Sequence, residues 1–377
     1  MPTDEPSHGG LTTTGSGNGS LVPGAANISE SLSNPNLTWE QTDEFNVGLD
    51  FGALNSRINL SVDAYYSITR SLLFAQPTQS FTGFTKYWNN IGRVRNAGME
   101  FQLDTYNIQK KDFTWSTSIN LSFNRNRLLE IGGEAQMITL GERDENYIAR
   151  VGDPLIQFFG YKTNGVWNSL DEIEANPHMS NDVPGGLRIV DTNGDGVLNT
   201  DDRVPLGSPY PAFNYGMTNT FKIKRFDVSF LIQGVQGGMV YNGDVYYNET
   251  HKYNRAYINN RWVSESHPGD GKTTYGKAGY NICLTDYPLQ DASYVCLRNA
   301  TIGFTLTKKD LKNALSGLRF YVTGNNLAYL WGKSYKGINP ESRTTTGSNY
   351  DSPLVSGYQK GGFPVTSTVT FGIDVKF

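Results

Sequence analysis

The sequence lacks the features that mark helical and nucleic-acid-binding proteins. Leucine-rich runs with a period of 3.6 residues are scarce among its 377 residues, which argues against a helical bundle. No apolar run reaches the length of a transmembrane helix, and the mean hydropathy is -0.45. With a net charge of -4 and no basic stripe, it has no electrostatic support for binding nucleic acid. A water-filled barrel can still be this hydrophilic, because only every second residue of its strands meets lipid.

Catalytic motifs are also missing. The four histidines are scattered over predicted loops, at His8, His178, His251 and His267. The chain contains no HExxH, GxSxG, phosphate-loop or CxxC pattern. We therefore predict that it is not an enzyme.

Cysteine is scarce, and the start of the chain lacks a secretion signal. A disulfide between Cys283 and Cys296 could form in an oxidising compartment, or both could serve as plain apolar residues. Residues 1–36 are a loop rich in Gly, Ser, Thr, Asn and Pro, without the charged and apolar regions of a signal peptide. We expect either that Met1 is not the native start or that the chain is a fragment of a longer protein.

The end of the chain carries the clearest pattern of what is present. Between residues 367 and 377, apolar and polar side chains alternate strictly. One face would carry Val369, Phe371, Ile373, Val375 and Phe377. The opposite face would carry Thr368, Thr370, Gly372, Asp374 and Lys376. A strand of about ten residues with these two faces fits a membrane barrel with a wet interior.

The same alternation recurs along the chain and predicts ten membrane strands. They span residues 44–52, 57–67, 98–108, 112–125, 156–166, 212–223, 226–235, 294–306, 318–330 and 367–377. Some connectors are short turns, whereas those at 70–97, 128–154, 168–211, 236–293 and 332–366 are long. Short turns on one rim and long loops on the other are typical of outer-membrane barrels. We predict an all-β, antiparallel transmembrane β-barrel portion over residues 37–377, with long extracellular loops.

The tryptophans of the chain have more than one interpretation. Five tryptophans lie near strand ends or in long loops, at Trp88, Trp115, Trp167, Trp262 and Trp331. They could form interfacial girdles or stack on a sugar ring, or they could pack the loops' own small cores.

The whole chain also has an alternative interpretation, as a soluble all-β surface adhesin or glycan-binding module. Such a module would stay in solution without detergent, whereas a membrane barrel would need detergent or lipid.

Residues 191–202 match a twelve-residue calcium loop. Oxygen ligands would come from Asp191, Asn193, Asp195, Asn199 and Asp202, with the carbonyl of Val197 at position 7. Gly196 would allow the sharp turn, and Asn at position 9 with Asp at position 12 resembles the loops of dockerin-type modules. Ca²⁺ there would stiffen the loop; the alternative is an Asp/Gly turn that binds nothing.

A series of segments resembles, in order, the C-terminal barrel of SusC/RagA-type TonB-dependent outer-membrane transporters. They are NPNLTWEQTDEFNVGLDFG (34–52), WNNIGRVRNAGMEF (88–101), DFTWSTSINLSFNRN (112–126), GDPLIQFFGYKTNGVW (152–167), DTNGDGVLNTDDR (191–203), ASYVCLRNATIGF (292–304) and RFYVTGNNL (319–327). The match extends over nearly the whole chain from Asn34.

The resemblance implies a 22-stranded barrel around an N-terminal plug, in the outer membrane of a Gram-negative bacterium. It implies import of oligosaccharides or peptides with a SusD-like surface lipoprotein and the TonB complex. It also makes Phe377 the signal read by the barrel-assembly machinery, although any lipid-facing strand can end on Phe. The plug and the signal peptide are absent from this sequence, and ten strands are about half a barrel. We therefore expect this chain alone not to be a competent transporter.

Overall fold

The structure is a computed structural model that describes residues 31–78, 84, 86–141, 145–245, 255–275, 282–312, 314–332, 334–342 and 354–377. Strands dominate these residues. The helices are short: α1 is Leu170–Glu174, α2 is Arg255–Asn260, and 3₁₀ turns cover Thr200–Asp202 and Ile282–Leu284. None of the helices in these ranges is long and apolar enough to span a membrane.

Nineteen strands follow one another in the described ranges. They are β1 Ser31–Leu32, β2 Gln41–Ala53, β3 Ile58–Pro77, β4 Lys86–Lys110, β5 Phe113–Ile131, β6 Gln136–Leu140, β7 Asn146–Arg150, β8 Gln157–Gly160, β9 Thr163–Val166, β10 Leu187–Ile189, β11 Val204–Gly207, β12 Phe213–Ile223, β13 Phe226–Gln236, β14 Met239–Asn242, β15 Leu289–Asp291, β16 Tyr294–Thr307, β17 Gly317–Trp331, β18 Tyr358–Gln359 and β19 Thr368–Lys376.

One large antiparallel sheet, which we call the wall, organises the molecule. Its order is β2-β3-β4-β5-β12-β13-β16-β17-β19, so each long strand pairs with its neighbour among the long strands of the chain. The short β1 adds a parallel pair beside β4. Nine of the ten strands predicted from alternation lie in the wall, and the all-β antiparallel prediction is confirmed.

The register gives the wall two chemically different faces. On one face, which we call the outer face, Phe226, Phe304, Phe320 and Ile373 lie side by side on four neighbouring strands. The large apolar side chains of this face are exposed, with Phe371 at 78% and Ile302 at 58%. Such a continuous exposed apolar surface is absent from ordinary soluble proteins and is typical of a sheet that faces lipid.

The opposite, inner face of the wall is polar. Ser229, Thr301, Thr323 and Thr370 form a row across the strands β13, β16, β17 and β19. Small hydroxyl and amide side chains leave room for water and can bond across the strands. The two faces therefore follow from strict alternation combined with a register that keeps like residues side by side.

The connection between β3 and β4 corrects the prediction of a long loop over residues 70–97. Both strands continue well past the predicted limits, to Pro77 and from Lys86. A register shift near Leu72 lets Phe74 lie against Gly92, where a Cβ would come within 2.2 Å of the ring. The hairpin is extended because Phe74 and Val94 are buried in a core outside the apolar band.

The other long connectors fold into a loop layer above the end of the wall that is opposite the short turns. Its three small sheets are β11-β8-β7-β6, β10-β9 and β15-β14-β18. Its largest cores join distant connectors: one contains Tyr147, Phe158, Tyr241 and Tyr358. The loops therefore carry hydrophobic cores of their own, which is how long connectors become ordered.

The predicted membrane strand 156–166 is wrong, and its residues belong to this loop layer. β8 pairs with β7 and β11, whereas β9 pairs with β10. At Gly160 the chain passes so close to the carbonyl of Leu284 that an added Cβ would lie 2.2 Å from its oxygen. The alternating apolar residues, Ile156 and Phe158, are buried in a loop core instead of facing lipid.

Candidate functional site

The inner face of the wall carries polar side chains that bond to one another. Hydrogen bonds link its side chains across strands: Thr301 to Thr323 at 2.8 Å, and Asn299 Nδ2 to Asn325 Oδ1 at 2.8 Å. Asn325 Nδ2 in turn donates to Thr368 Oγ1 at 3.3 Å. Neutral polar groups that bond to one another form a wetted surface that holds no single ion tightly.

Arg319 forms the charged centre of the inner face near the short-turn end. Its guanidinium donates to both carboxylate oxygens of Asp227, at 3.0 and 2.6 Å, and to Asp374 at 3.1 Å. The three residues come from β17, β13 and β19, so one cation bridges strands on both sides of β17. A two-pronged arginine–carboxylate contact fixes geometry as well as charge.

A second arginine ties the wall to the loop layer. Arg298 is an extra residue of β16 relative to β13, because the adjacent Leu231 and Ile232 pair with Asn299 and Leu297. Its side chain donates to Glu341 at 2.5 Å and to Tyr329 Oη at 2.8 Å, and it also contacts Gln233 and Asn326. The bulge therefore aims a charge at the long connector that contains Glu341.

Sequence reasoning did not identify Arg298, although the signal was present. Extending the alternation of Ala300, Ile302 and Phe304 backwards would place Arg298 on the outer, apolar face. A charge at such a position indicates an inserted residue, because lipid does not accept an unpaired guanidinium. Glu341 gave no comparable signal, since it lies in an irregular connector.

Two of the sequence segments that carry the resemblance bind each other. Asn90 Nδ2 donates to the carbonyl of Thr38, and Asn90 Oδ1 accepts from the Thr38 amide at 2.8 Å. Asn34 Nδ2 donates to the carbonyl of Trp88, while the Glu40 carboxylate accepts from the Leu73 amide. The segment before β2 is thus fastened to the β3–β4 hairpin by side chains that bond to backbone groups.

The predicted calcium loop adopts a compact turn in which the carboxylates of Asp191, Asp195 and Asp202 accept backbone N–H groups. Asp191 accepts from Gly194 and Gly196, and Asp195 Oδ1 accepts from Val197. Bonding to the Gly196 N–H holds the pKa of Asp191 below its usual range. Asn199 and Asp202 cap the 3₁₀ turn reciprocally, and Asp202 also accepts from Thr192.

This loop has the donor set that Ca²⁺ prefers, but its carboxylates are arranged around N–H groups. Within the described ranges, no three His, Cys, Asp or Glu side chains are gathered closely enough to hold a metal. Asn193 Oδ1 is also occupied, since it accepts from the Asp195 amide at 2.9 Å. A bound cation would share oxygens that already stabilise the turn, so calcium at this loop stays a prediction.

The remaining predicted residues are placed as follows. Phe377, which follows the last wall strand, is 95% exposed. Cys296 is a buried free thiol in β16, and the side chain of Cys283 lies outside the described residues. His178 and His267 are exposed, whereas His8 and His251 lie outside the described residues.

The tryptophans lie in two kinds of environment. Trp167 is fully buried in the loop layer, where the Arg188 guanidinium lies 4.9 Å from its ring, and Trp262 packs against the core around Val166. Trp115 lies on the outer face of β5, stacked 5.6 Å from Phe221. Trp331 ends β17 beside Tyr335.

Comparison with known proteins identifies the architecture. The family model "TonB dependent receptor-like, beta-barrel" matches residues 5–327. The chain belongs to this family. The family's members are β-barrel proteins of the Gram-negative outer membrane, so the apolar outer face meets lipid and the polar inner face lines the lumen.

Curated relatives place this chain within longer TonB-dependent receptors. It is 32% identical over 354 residues to TonB-dependent receptor P26 of Formosa agariphila, covering 92% of this chain and 35% of that protein. It is 28% identical over 357 residues to TonB-dependent receptor SusC of Bacteroides thetaiotaomicron, covering 91% of this chain and 32% of SusC. The chain thus spans about a third of the length of these relatives.

Solved structures support the same fold. The structure of the RagAB peptide transporter superposes with a TM-score of 0.73 at 21% identity, covering 92% of this chain and 36% of that one. The RagAB peptide importer in its closed-closed state gives a TM-score of 0.71. The wall and loop layer are therefore one contiguous part of a TonB-dependent receptor β-barrel.

Proposed function

We propose that the full-length protein imports oligosaccharides or peptides across the outer membrane, with this chain supplying part of the barrel wall and the extracellular loops. The observation that carries the proposal is the separation of faces: a lipid-facing apolar surface backs a continuous polar lumen surface. A polar inner face is typical of a barrel with a wet lumen, through which polar cargo can pass. Its hydroxyl and amide side chains offer hydrogen-bonding groups to such cargo.

We further propose two protein partners. A SusD-like surface lipoprotein would cover the loop layer and deliver cargo, and the TonB complex would supply energy through the part of the protein outside this chain. Similarity to the TonB-dependent receptor SusC supports both partners. The loop layer also fits this role, because its own cores make it a firm platform.

Two classes of cargo are considered, peptides and glycans. The names of the RagAB structures refer to peptides, and at 21% identity this likeness supports only the fold. The lumen surface around Thr301 and Asn299 offers hydroxyl and amide groups that would bond equally to sugar hydroxyls and to peptide groups. We therefore propose the property that both classes share, a polar oligomer, as the cargo.

Uptake by whole cells tests the transport proposal. Cells lacking the full-length gene, and cells carrying it on a plasmid, would be given fluorescent oligosaccharides and oligopeptides of about 1 to 3 kDa. We expect uptake of one of the two classes to require both the gene and TonB. Equal uptake by deleted and complemented cells for every polymer in both panels would contradict the proposal.

Two further sites belong to this proposal. We propose that Phe377, together with the outer face of β19, is recognised by the barrel-assembly machinery. Deleting Phe377 from the full-length protein should lower its amount in the outer membrane, and an unchanged amount would contradict this role. We also propose that Ca²⁺ stiffens the loop at residues 191–202.

The soluble adhesin or glycan-binding alternative is not favoured by the structure. A soluble module would have to cover the outer face, where Phe45, Leu49, Phe371 and Ile373 are each more than half exposed. Exposed apolar surface on this scale leads to aggregation in water. Solubility of the full-length protein without detergent would revive the alternative.

A further inference from the structure

Three arginines form a cluster on the outer face, immediately beyond its apolar band. Arg95 on β4 pairs directly with Arg127 on β5. Arg125 lies two residues before Arg127 and therefore on the same face of β5. Arg95 is on the outer face because it precedes Ala97 and Met99 at two-residue spacing. These two residues pair with the outward-facing Tyr66 and Ala64.

The cluster lies at the extracellular end of the wall. β5 starts from the short turn at its beginning, near Phe113, and enters the loop layer beyond Leu128, which is buried there. Short turns mark the periplasmic rim of outer-membrane barrels. The three guanidinium groups are therefore at the level of the outer leaflet's head groups.

The three arginines of this cluster form no ion pair within the described residues. None of the ion pairs found there involves Arg95, Arg125 or Arg127. By contrast, the nearby Arg70 and Arg150 have carboxylate partners, Asp43 and Asp153. Like charges placed directly opposite on neighbouring strands repel each other, so an anion from outside the chain would stabilise this arrangement.

The donors of the cluster are only partly used. Within the described ranges, Arg125 donates through one nitrogen, to the carbonyls of Asn124 and Ala212, and Arg127 donates through Nε to Gly152. Arg95 Nε is buried and has no hydrogen-bond partner. Each guanidinium carries five N–H donors, so most of them remain for a ligand.

An aromatic surface adjoins the cluster on its membrane side. Phe123, two residues before Arg125, lies 6.3 Å from Phe101 and 5.7 Å from Phe213 between ring centroids. Met99, paired with Phe123, is 43% exposed. A ligand here meets guanidinium groups at one end and aromatic and thioether groups at the other, which matches an amphiphile.

We propose that Arg95, Arg125 and Arg127 bind the phosphorylated head group of an outer-leaflet glycolipid of the lipid A type. Guanidinium groups bind phosphate oxygens in pairs, which an ammonium group cannot do. The acyl chains of the same lipid would lie along Phe123 and Met99. The bound lipid would neutralise the cluster and fix the height of the barrel in the membrane.

Binding of lipid A to the purified full-length protein tests the proposal. The wild type would be compared in detergent with a triple variant, Arg95→Gln, Arg125→Gln and Arg127→Gln. A matched control, Lys110→Gln, Lys111→Gln and Lys309→Gln, removes the same charge from the short-turn rim. We expect the Kd for lipid A to rise about tenfold or more in the triple variant and to stay unchanged in the control.

Two ligand-side measurements on the wild type need no variant. Dephosphorylated lipid A should bind as weakly as lipid A binds to the triple variant. Inorganic phosphate at the lipid concentration should not displace lipid A. Equal affinity of the wild type for phosphorylated and dephosphorylated lipid A would overturn the proposal, and so would equal affinity of wild type and triple variant. Displacement by inorganic phosphate would overturn the assignment to a lipid.

Discussion

In the wall, the large apolar side chains lie on the surface, whereas in the loop layer they lie inside. Phe371 in β19 is 78% exposed, and Trp167 in the loop layer is fully buried. Both regions consist of strands, and both contain alternating sequence. The difference shows that an alternating sequence indicates a strand with two different faces. Whether the apolar face meets lipid or a protein core depends on the rest of the chain that surrounds it.

The two regions also differ in what holds them together. Wall strands are fixed by long ladders such as β12–β13, whose register runs without a shift from Phe213 to Ile223. The small loop sheets have ladders of two to five residue pairs and depend on their cores. Substitutions in the two regions should therefore act through different mechanisms.

The largest effect is expected from Trp167→Ala in the loop layer. The change removes a fully buried indole and leaves a cavity beneath Arg188, at a cost of about 3–5 kcal/mol. Hydrogen exchange should increase in residues 157–189 and stay unchanged in β16 and β17. Trp331→Ala is the control, because Trp331 is 40% exposed and should cost less. Loss of protection in the wall would show that the two regions are not independent.

The next effect compares the two faces of one wall strand. Val322→Lys places a charge on the lipid-facing surface and should cost about 2–4 kcal/mol. Thr323→Lys, one residue later, places the same charge in the lumen and should cost much less. The amount of heat-modifiable full-length protein in outer membranes measures both. Equal losses for the two variants would contradict the assignment of faces.

A smaller effect is expected where the two regions meet. Glu341→Gln removes the charged partner of Arg298, which is partly exposed, so the cost should be about 1 kcal/mol. Limited proteolysis should then cut the connector at residues 334–342 faster, with the wall still intact. Glu265→Gln, at an exposed carboxylate of the loop layer, provides the control. Unchanged cleavage would mean that Arg298 does not hold this connector.

The smallest effect concerns the loop at residues 191–202. Hydrogen bonds from backbone N–H groups lower the pKa of Asp191 in the folded loop. The ionised carboxylate therefore stabilises the loop fully above the pKa of unfolded Asp, about 3.9, and this stabilisation is lost as the pH falls through the folded pKa. Protease protection of the loop should therefore be flat from neutral pH to about pH 5 and should fall below about pH 4.

The same loop provides the calcium test. Millimolar Ca²⁺ at neutral pH should slow cleavage of the loop further, and Asp191→Asn should abolish this gain. Thr192→Val is not a suitable control, because its hydroxyl bonds to Asp202. Asp171→Asn in α1, outside the loop, serves instead. Protection that is independent of Ca²⁺ would leave the alternative of a turn that binds nothing.

Much of the wall was predictable from sequence, because a long run of strict alternation requires a strand with one apolar and one polar face. The prediction failed at residues 156–166, where Ile156 and Phe158 alternate in the same way but are buried by Tyr241 and Tyr358 from distant connectors. The length of β4 was also missed, because the core that buries Val94 includes Leu354 from a connector far along the chain. Such partners cannot be read from local pattern.

The site was less predictable than the fold. Polar lumen residues such as Thr301 and Thr323 follow from alternation, but the pairing of Arg298 with Glu341 depends on a bulge. The contact between Asn90 and Thr38 was not predicted either, although both lie in segments that carry the resemblance. Sequence shows that these segments belong together, and only the structure shows that they bind each other.

The most direct test of the account is the accessibility of single cysteines along β17 in the full-length protein, with Cys283 and Cys296 replaced by Ser. Cysteines at positions 320, 321, 322 and 323 would be treated in native outer membranes with a water-soluble maleimide and, separately, with a lipid-soluble one. The account predicts that the water-soluble reagent labels positions 321 and 323, and that the lipid-soluble reagent labels positions 320 and 322. Labelling of all four positions by the water-soluble reagent would contradict it.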